Sequence, residues 1–443
     1  MTLLSGWGRT PVIETDVVHL RTTADAAPAI YAARGAVARG AGRAYGDAGV
    51  GARQTLIARN LDRFKAFDPQ SALLTVEAGV LLNDVIATYL PRGFFPAVVP
   101  GTRFVTVGGA IASDVHGKNH HRDGGFGDHV ESLMIATAEG ETLRASRADR
   151  PELFRATIGG MGLTGVITEA TLRLRRVETG WIRQKTVAAP NLEAAIAALD
   201  AADDATYSVA WIDCVARGAH LGRSLIYLGE HATLDDMSAA AADPFPKAGA
   251  ARLAVPMDFP GFSLNRLTVG AFNEIYFRRG AGAAADRLVG AYPYFFPLDG
   301  VGAWNRIYGR GGFLQHQCVL PLSTASAALA EIVGRIAKKG GASFLAVLKK
   351  FGDASAVGLL SFPMRGYTLA LDFPMTRDLP AFLDELDGLV VAAGGRIYLA
   401  KDARQSRATF EAGYPDLGAF RDFRKSIDPA GHVQSHLGQR LGL

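Results

Sequence analysis

Three glycine-rich segments constrain the fold of this chain most strongly. They are ARGAGRAYGD at residues 38–47, PGTRFVTVGGAIASDVHGKNHH at 100–121 and TIGGMGLTGVIT at 157–168. Glycine lets the backbone turn tightly and approach a ligand closely, and successive exposed N–H groups form a concavity that binds anions. A single Gly-x-Gly turn is more often structural, and the first segment lacks the third glycine of a Rossmann fingerprint. Three such loops together predict a site in which backbone contacts a phosphate-bearing ligand.

Strand and helix patterns surround these loops. Val17 to Arg39 predicts a strand, a short helix and a second strand. The next unit is LLTVEAG, a strand, followed by LLNDVIATYL, an amphipathic helix, and FFPAVVPG, a short apolar strand. Apolar residues that recur every three or four positions mark the buried face of a helix. The predicted buried face of this helix consists of Leu82, Val85, Ile86 and Tyr89.

The C-terminal half carries a doubled pattern. FLQHQCVLP, a helix from Ser323 to Lys339 and SFLAVLKKF form one strand–helix–strand unit, and YTLALDFP, a helix from Leu379 to Ala393 and RIYLAKDA form the next. Two such units predict an antiparallel sheet covered by helices on one face, and therefore an α+β fold.

The length of the chain predicts more than one domain, since 443 residues exceed what one hydrophobic core usually organises. We expect a ligand-binding domain at 1–180, a substrate domain at 181–396 and a C-terminal segment at 397–443 that returns to the first domain. Residues 230–263 are rich in Ala, Pro and Asp and lack a clear period. They are either an ordinary surface insertion or a lid over an apolar substrate.

Composition excludes several classes of protein. Lys and Arg total 47 against 43 for Asp and Glu, without a basic block, so nucleic acid is not an expected partner. Cys214 and Cys318 are too few for a disulfide framework and fit a reducing compartment. We find no signal peptide pattern and no apolar run of about 18 residues, so we expect a cytoplasmic protein or one peripheral to the inner membrane.

The second loop contains a histidine cluster, His116, His120 and His121. No Cys or carboxylate stands at familiar ligand spacing around it, so a metal site is not expected. Because the cluster lies in a glycine-punctuated loop with few apolar neighbours, a structural core role is also less fitting than usual.

The three loops resemble the FAD-binding half of vanillyl-alcohol oxidase flavoproteins, which have a PCMH-type FAD-binding domain. The resemblance extends in order over nearly the whole chain to the decaprenylphosphoryl-β-D-ribose 2′-oxidase family. The further motifs that carry it are GWGRT at 6–10, AWNRIYG at 303–309, GFLQHQCVLP, SFLAVLKKFG, DFP at 372–374 and YLAKDAR at 398–404.

This resemblance implies FAD as the cofactor. In many relatives a histidine of the first loop bonds covalently to the flavin, and Arg43 stands at that position here. Guanidinium cannot form the link, so we expect noncovalent FAD. The implied FAD contacts are Arg39, Gly40, Ala41, Gly42, Arg43, Ala44, Tyr45, Gly101, Thr102, Thr106, Val107, Gly108, Gly109, Ala112, Ser113, His116, Gly117, Asn119, His120, Gly162, Gly165, Val166, Ile167, Tyr398 and Lys401.

The implied reaction removes the ribose 2′ hydrogen as hydride to flavin N5, while the hydroxyl proton leaves to a base. The donor must lie within about 3.5 Å of its acceptor, which requires the sugar to lie near the flavin. Tyr45, His116 and Lys401 are the expected catalytic residues. The implied substrate contacts are Trp211, Tyr308, Gln315, Gln317, Lys349 and Lys401, with Lys349 meeting the phosphate. Gln315 and Gln317 are two apart on a strand and so share one face.

One departure from the family concerns the strand YTLALDFP. Mycobacterial members carry a cysteine and an asparagine where this chain has Ala370 and Thr368. The implied pathway partner is a short-chain dehydrogenase that reduces the 2′-keto product to the arabinose epimer. Two alternatives stay open: another sugar, alditol or aldonolactone oxidase of the same fold, and a flavin-binding or lipid-binding protein without turnover.

Overall fold

The computed structural model describes residues 1–237, 243–249, 253–283, 286–340, 345–353 and 357–443. Ser343 and Phe344 of the predicted strand SFLAVLKKF, and parts of the predicted insertion at 230–263, lie outside these residues. No helix within the described ranges is both long and apolar enough to cross a membrane.

The first sheet is built by the N-terminal 57 residues of the chain. Its spatial order is β1-β2-β4-β3, and both β2 and β3 lie parallel to β4. The strand–helix–strand unit predicted here is present, with a later strand inserted between its two strands. The strands are β1 (Thr2–Ser5), β2 (Val12–His19), β3 (Ala36–Arg39) and β4 (Gln54–Ile57).

The second sheet is antiparallel and follows in sequence. Its order is β5-β6-β10-β8-β9, with β7 also paired to β10. The alternating apolar side chains of these strands pack against the helix predicted at 81–90, whose four predicted inward residues are all buried. The strands are β5 (Phe64–Asp68), β6 (Leu73–Glu77), β7 (Phe94–Pro96), β8 (Val130–Ala136), β9 (Thr142–Ser146) and β10 (Val166–Arg176).

The third sheet contains the doubled pattern. In the described residues its order is β15-β11-β13-β12-β18-β19-β17-β20, and the remaining two strands, β14 and β16, pair separately in parallel. Neighbouring strands of the large sheet are antiparallel, as predicted. The strands are β11 (Trp181–Ala189), β12 (Tyr207–Ile212), β13 (Ser224–His231), β14 (Leu253–Ala254), β15 (Asp286–Gly290), β16 (Val301–Gly302), β17 (Phe313–Pro321), β18 (Ala346–Phe351), β19 (Gly366–Pro374) and β20 (Arg396–Ile397).

Helices cover one face of the third sheet and fill the spaces around the first two. The two long helices of the doubled pattern each bury an apolar face in the core of this sheet, with Leu329, Ile332 and Val333 on the first helix and Phe382, Leu386 and Val390 on the second. The α+β fold class is therefore confirmed. The helices are α1 (Ala26–Ala32), α2 (Leu82–Tyr89), α3 (Val107–Ala112), α4 (His120–Asp123), α5 (Pro151–Thr157), α6 (Leu192–Asp200), α7 (Arg266–Ala281), α8 (Ala291–Phe295), α9 (Leu322–Lys339), α10 (Leu379–Ala392), α11 (Arg407–Gly413), α12 (Leu417–Ile427) and α13 (His436–Leu441).

The last predicted strand, RIYLAKDA, is wrong beyond Ile397. The chain turns there, and the backbone N–H groups of Lys401 and Asp402 donate to the carbonyl of Tyr398. Three consecutive residues after Ile397 are buried, which the alternation of a strand does not produce. Lys401 is therefore presented by a turn.

The C-terminal segment returns to the first glycine loop. Arg440 of α13 pairs with Asp47 at 2.9 Å and with Asp402 at 2.9 Å. Both carboxylates are almost completely buried, so the ion pairs fix the last helix against the loop at 38–47. This contact fits a C-terminal segment at 397–443 that returns to the first domain, while the division into 1–180, 181–396 and 397–443 stays a proposal.

Candidate active site

A cavity of about 330 Å³ lies where the glycine loops meet the third sheet. Its wall extends from Ala58 and Ala78 beside the first two sheets to Gln315 on β17 and Lys349 on β18. The volume is in the range of cofactor and small-molecule sites.

The first two loops meet through a contact that only glycine permits. A Cβ atom on Gly40 would lie 2.2 Å from Thr106 Oγ1, and Gly42 has a positive φ of 64°. The Thr106 side chain is fixed because it accepts a hydrogen bond of 3.1 Å from the backbone of Gly109 at the start of α3. The missing side chains let the backbone of these lining loops approach a ligand closely, which suits the pyrophosphate of a dinucleotide.

The inner end of the cavity is polar. His116 Nε2 lies 2.9 Å from Gln317 Nε2, and His116 Nδ1 lies 2.9 Å from Lys349 Nζ. The Gln317 amide also donates to Thr368 Oγ1 at 3.2 Å, which fixes its nitrogen toward both partners. Because Gln317 donates to Nε2, the proton of a neutral His116 ring is on Nδ1, and the Lys349 nitrogen must then accept it as a neutral amine.

The electrostatics of this pair agree with that proton assignment. Burial, with the positive charges of Lys118 and Lys401 nearby, lowers the pKa of Lys349 to about 7. Burial, together with the positive charges of Lys349, His120 and Lys401, holds the pKa of His116 well below its usual value. Near neutral pH the ring is uncharged and a large fraction of Lys349 is an amine, so the pair is able to take up one proton.

A second charged group lies beside the first loop. Lys401 Nζ is 3.7 Å from the centre of the Tyr45 ring, a cation–π contact. Burial lowers the pKa of Lys401 to about 8, and the negative charge of Asp372 opposes that shift. Asp372 is buried and accepts hydrogen bonds from the Tyr308 hydroxyl at 3.2 Å and from the Gln315 amide. Its anionic form therefore keeps Lys401 cationic and orients two side chains of the substrate domain.

Most of the predicted site residues line this one cavity. Gln315 and Gln317 share its face of β17, while His316 between them points away and pairs with Asp387 of α10. The predicted residues that line it are Arg39, Gly40, Ala41, Gly42, Arg43, Ala44, Tyr45, Gly101, Thr102, Thr106, Gly108, Gly109, Ala112, Ser113, His116, Gly162, Gly165, Ile167, Gln315, Gln317, Lys349, Tyr398 and Lys401.

Other predicted residues lie outside the lining. Trp211 packs under α7, with its ring 4.8 Å from that of Tyr276, and Tyr308 lies behind Asp372. Asn119 supports the second loop by donating to the Ala97 carbonyl at 2.8 Å. The remaining predicted residues outside the lining are Val107, Gly117, His120 and Val166.

The sequence prediction missed part of the wall. The rings of Trp7 and Trp304 form a T-shaped pair on one side of the cavity, with their centres 5.8 Å apart. Asp299 also lines the cavity. Both tryptophans belong to motifs quoted in the sequence analysis, GWGRT and AWNRIYG, and these motifs could have identified them as site residues. Asp299 belongs to none of the quoted motifs. Only the structure identifies it, because its carboxylate accepts hydrogen bonds from the Thr102 hydroxyl and the Arg103 backbone.

Comparison with known proteins agrees with a cofactor site in this cavity. Residues 16–146 match the family model of the FAD binding domain. The chain is 38% identical to the decaprenylphosphoryl-beta-D-ribose oxidase of Mycolicibacterium smegmatis, over 99% of this chain and 97% of the relative. It is 37% identical to an uncharacterized protein of Streptomyces coelicolor, over 82% of this chain and 100% of the relative. A putative D-arabinono-1,4-lactone oxidase of Neurospora crassa is 33% identical over 26% of this chain and 21% of its own length.

The fold and the loop-lined cavity define an FAD-dependent oxidoreductase with a PCMH-type FAD-binding domain that acts on CH–OH groups. Within that class, the end-to-end match settles the membership. The chain belongs to the decaprenylphosphoryl-β-D-ribose oxidase family. The predicted cofactor, FAD, and the predicted family are confirmed.

Ala370 lines the cavity from β19, so this wall carries a methyl group where mycobacterial members have a thiol. Cys214 and Cys318 are fully buried, and burial raises the pKa of both thiols. We predict that inhibitors that depend on capture by that cysteine leave this protein unlabelled, and that Ala370→Cys gains one adduct. Intact mass measurement checks this, with Ala370→Ser as the control. A stoichiometric adduct on the unmodified protein would contradict the prediction.

Proposed function

We propose that this protein oxidises the 2′-hydroxyl of a polyprenyl-phosphoryl-β-D-ribose to the 2′-keto compound, the first half of an epimerisation to the arabinose donor. The carrying observation is the match over 99% of the chain to a ribose oxidase of that type. The polar end formed by His116, Gln317, Lys349 and Lys401 supports it, because these groups fit a sugar hydroxyl and its proton.

Each side chain has a definite task in this proposal. FAD, when bound, supplies the hydride acceptor. The His116–Lys349 pair takes the hydroxyl proton, and Gln315 and Gln317 orient the sugar from one strand face. Lys401 stabilises negative charge that develops on the substrate oxygen, a contribution typically of about 3 kcal/mol at the transition state.

We also propose that the FAD is held noncovalently, because Arg43 occupies the position of the linking histidine and a guanidinium cannot form that link. The Arg43 Cζ atom lies over the Trp7 ring, 3.9 Å from the ring centre. A short-chain dehydrogenase is the class of enzyme that would reduce the 2′-keto product.

Flavin reduction tests the proposed substrate. A short-chain polyprenyl-phosphoryl ribose should bleach the FAD absorbance in anaerobic stopped-flow experiments, whereas its arabinose epimer, free polyols and aldonolactones should not. Reduction by free polyols or lactones would instead support the rival oxidase function. Flavin that no sugar reduces would favour a binding protein without turnover.

The pH profile tests the assignment of the two lysines. The neutral amine of Lys349 increases as pH rises through about 7, and the cationic form of Lys401 is lost as pH rises through about 8. The rate of flavin reduction should therefore rise and then fall across this range. In Asp372→Asn the falling limb should move to lower pH by about 1 unit, because a buried anion beside Lys401 is removed.

Tyr308→Phe is the matched control for Asp372→Asn. It removes one hydrogen bond to the same carboxylate and leaves its charge. Its falling limb should stay in place. A shift of equal size in both variants would show that packing, and not the charge of Asp372, sets the profile.

We also propose that the protein contacts a membrane surface, where a polyprenyl lipid resides. Leu267 and Ile275 lie eight residues apart on one face of α7 and are 83% and 54% exposed, and Phe262 just before the helix is 78% exposed. Exposed Arg278 and Arg279 follow in the last turn and suit anionic lipid headgroups.

This apolar face adjoins the cavity wall. Strand β14, which precedes it, pairs with β16, and β16 leads directly to Trp304 in the lining. The backbone of Phe259 also donates to the Arg306 carbonyl at 2.9 Å. A bilayer that contacts the α7 face would therefore lie next to the cavity wall at Trp304, and in this proposal the lipid-linked sugar enters there.

Vesicle binding tests this contact. The protein should co-sediment with phosphatidylglycerol vesicles more than with phosphatidylcholine vesicles, and combining Phe262→Ser, Leu267→Ser and Ile275→Ser should weaken binding by about 10-fold or more through lost apolar burial. The matched control combines Leu3→Ser, Val12→Ser and Tyr31→Ser, which are 70%, 60% and 61% exposed in the N-terminal region. Equal losses in both triple variants, or a dimer that dissociates only in the α7 variant, would contradict membrane contact.

A further inference from the structure

Four cationic side chains line the cavity, and three of them have partners within the protein. Arg39 donates to the carbonyls of Ser5 and Gly49, Lys349 contacts His116, and Lys401 interacts with Asp372 and the Tyr45 ring. The fourth, Arg43, makes no hydrogen bond and no ion pair in the part of the chain that the structure describes.

Arg43 is nevertheless held in place by aromatic rings. Its Cζ atom lies 3.9 Å from the centre of the Trp7 ring and 5.6 Å from that of Phe104. The cation–π contact with Trp7 holds the guanidinium without using its N–H groups, which are available to donate to an anion. Burial lowers the pKa of Arg43, but an arginine remains charged at neutral pH.

The surroundings of Arg43 differ from those of the polar end. Trp7, Leu298 and Trp304 give this part of the wall an apolar surface. The one nearby carboxylate in the described lining, Asp299, already accepts from the Thr102 hydroxyl at 2.7 Å and from the Arg103 backbone at 2.9 Å, and burial raises its pKa. Its repulsion of an anion is therefore reduced.

We infer that Arg43 recognises the phosphate of the lipid-linked substrate, while Trp7, Leu298 and Trp304 contact the first carbons of the lipid chain. This inference rests on the proposed function. It replaces the expectation that Lys349 meets the phosphate, because Lys349 contacts His116 at the inner end and is partly neutral near pH 7. The sugar then lies toward Gln315 and Gln317 and the lipid leaves past the tryptophans.

Binding of farnesyl phosphate to the FAD-loaded protein tests this assignment without turnover. Titration is followed by the flavin absorbance spectrum, with farnesol as the uncharged probe. Arg43→Gln should raise the Kd for farnesyl phosphate at least 10-fold and leave the Kd for farnesol within 2-fold. Arg43→Lys, which keeps the charge but loses the planar contact, should give an intermediate loss. Arg310→Gln, an exposed arginine of the same region, is the control and should match the unmodified protein.

The outcomes are decisive in each direction. An unchanged Kd for farnesyl phosphate, or equal losses for both probes, would overturn the inference. Loss of FAD from Arg43→Gln but not from Arg43→Lys, with farnesyl phosphate binding to Arg43→Lys unchanged, would assign Arg43 to the cofactor and overturn it as well. Because the assay needs no ribose oxidation, it fails or succeeds independently of the flavin-reduction experiment that tests the proposed function.

Discussion

The close approach of Gly40 to Thr106 is the constraint on which the cavity depends. A Cβ atom at position 40 would lie only 2.2 Å from the threonine oxygen, so no residue other than glycine lets the first loop lie against the second. That approach joins the first sheet to α3, so that both loops line one cavity. Arg440 also fixes the first loop, through its ion pairs with Asp47 and Asp402. The FAD-binding loops are thus held in place by the steric fit of Gly40 against Thr106 and by the buried ion pairs of Arg440.

Electrostatics divides the cavity into functional parts. At the inner end, low dielectric and crowded positive charge make Lys349 a weak base near neutrality, while Asp372 preserves the charge of Lys401. The proposed function therefore gives the two lysines opposite roles, Lys349 as part of the proton acceptor and Lys401 as a cation. Carbonyl formation from an alcohol needs both, since a proton must leave the oxygen while negative charge on it is stabilised.

Much of this arrangement could be predicted from the sequence. Local periodicity identified α2, α9 and the common face of Gln315 and Gln317, because a strand or helix imposes its spacing on neighbouring residues. The turn that presents Lys401 was not predicted. Its apolar residues pack in a separate core with the C-terminal helices, and in the sequence they have the same composition as a strand. The contacts of His116 with Gln317 and Lys349 join residues more than 200 positions apart, which no local pattern encodes.

The positions of the charges favour a different partner for the phosphate from the one that the family resemblance implied. A lysine near a sugar site is an obvious partner for a phosphate when only its formal charge is considered. Its buried contact with His116 and its lowered pKa make its charge depend on pH, which suits the proton-accepting role that we propose for it. Arg43, for which the resemblance implied an FAD contact at the position of the linking histidine, retains its charge and makes no hydrogen bond among the residues that the structure describes. A substrate with an ionised phosphate between a sugar and a lipid requires a cation between a polar end and an apolar wall, and we infer that Arg43 is that cation.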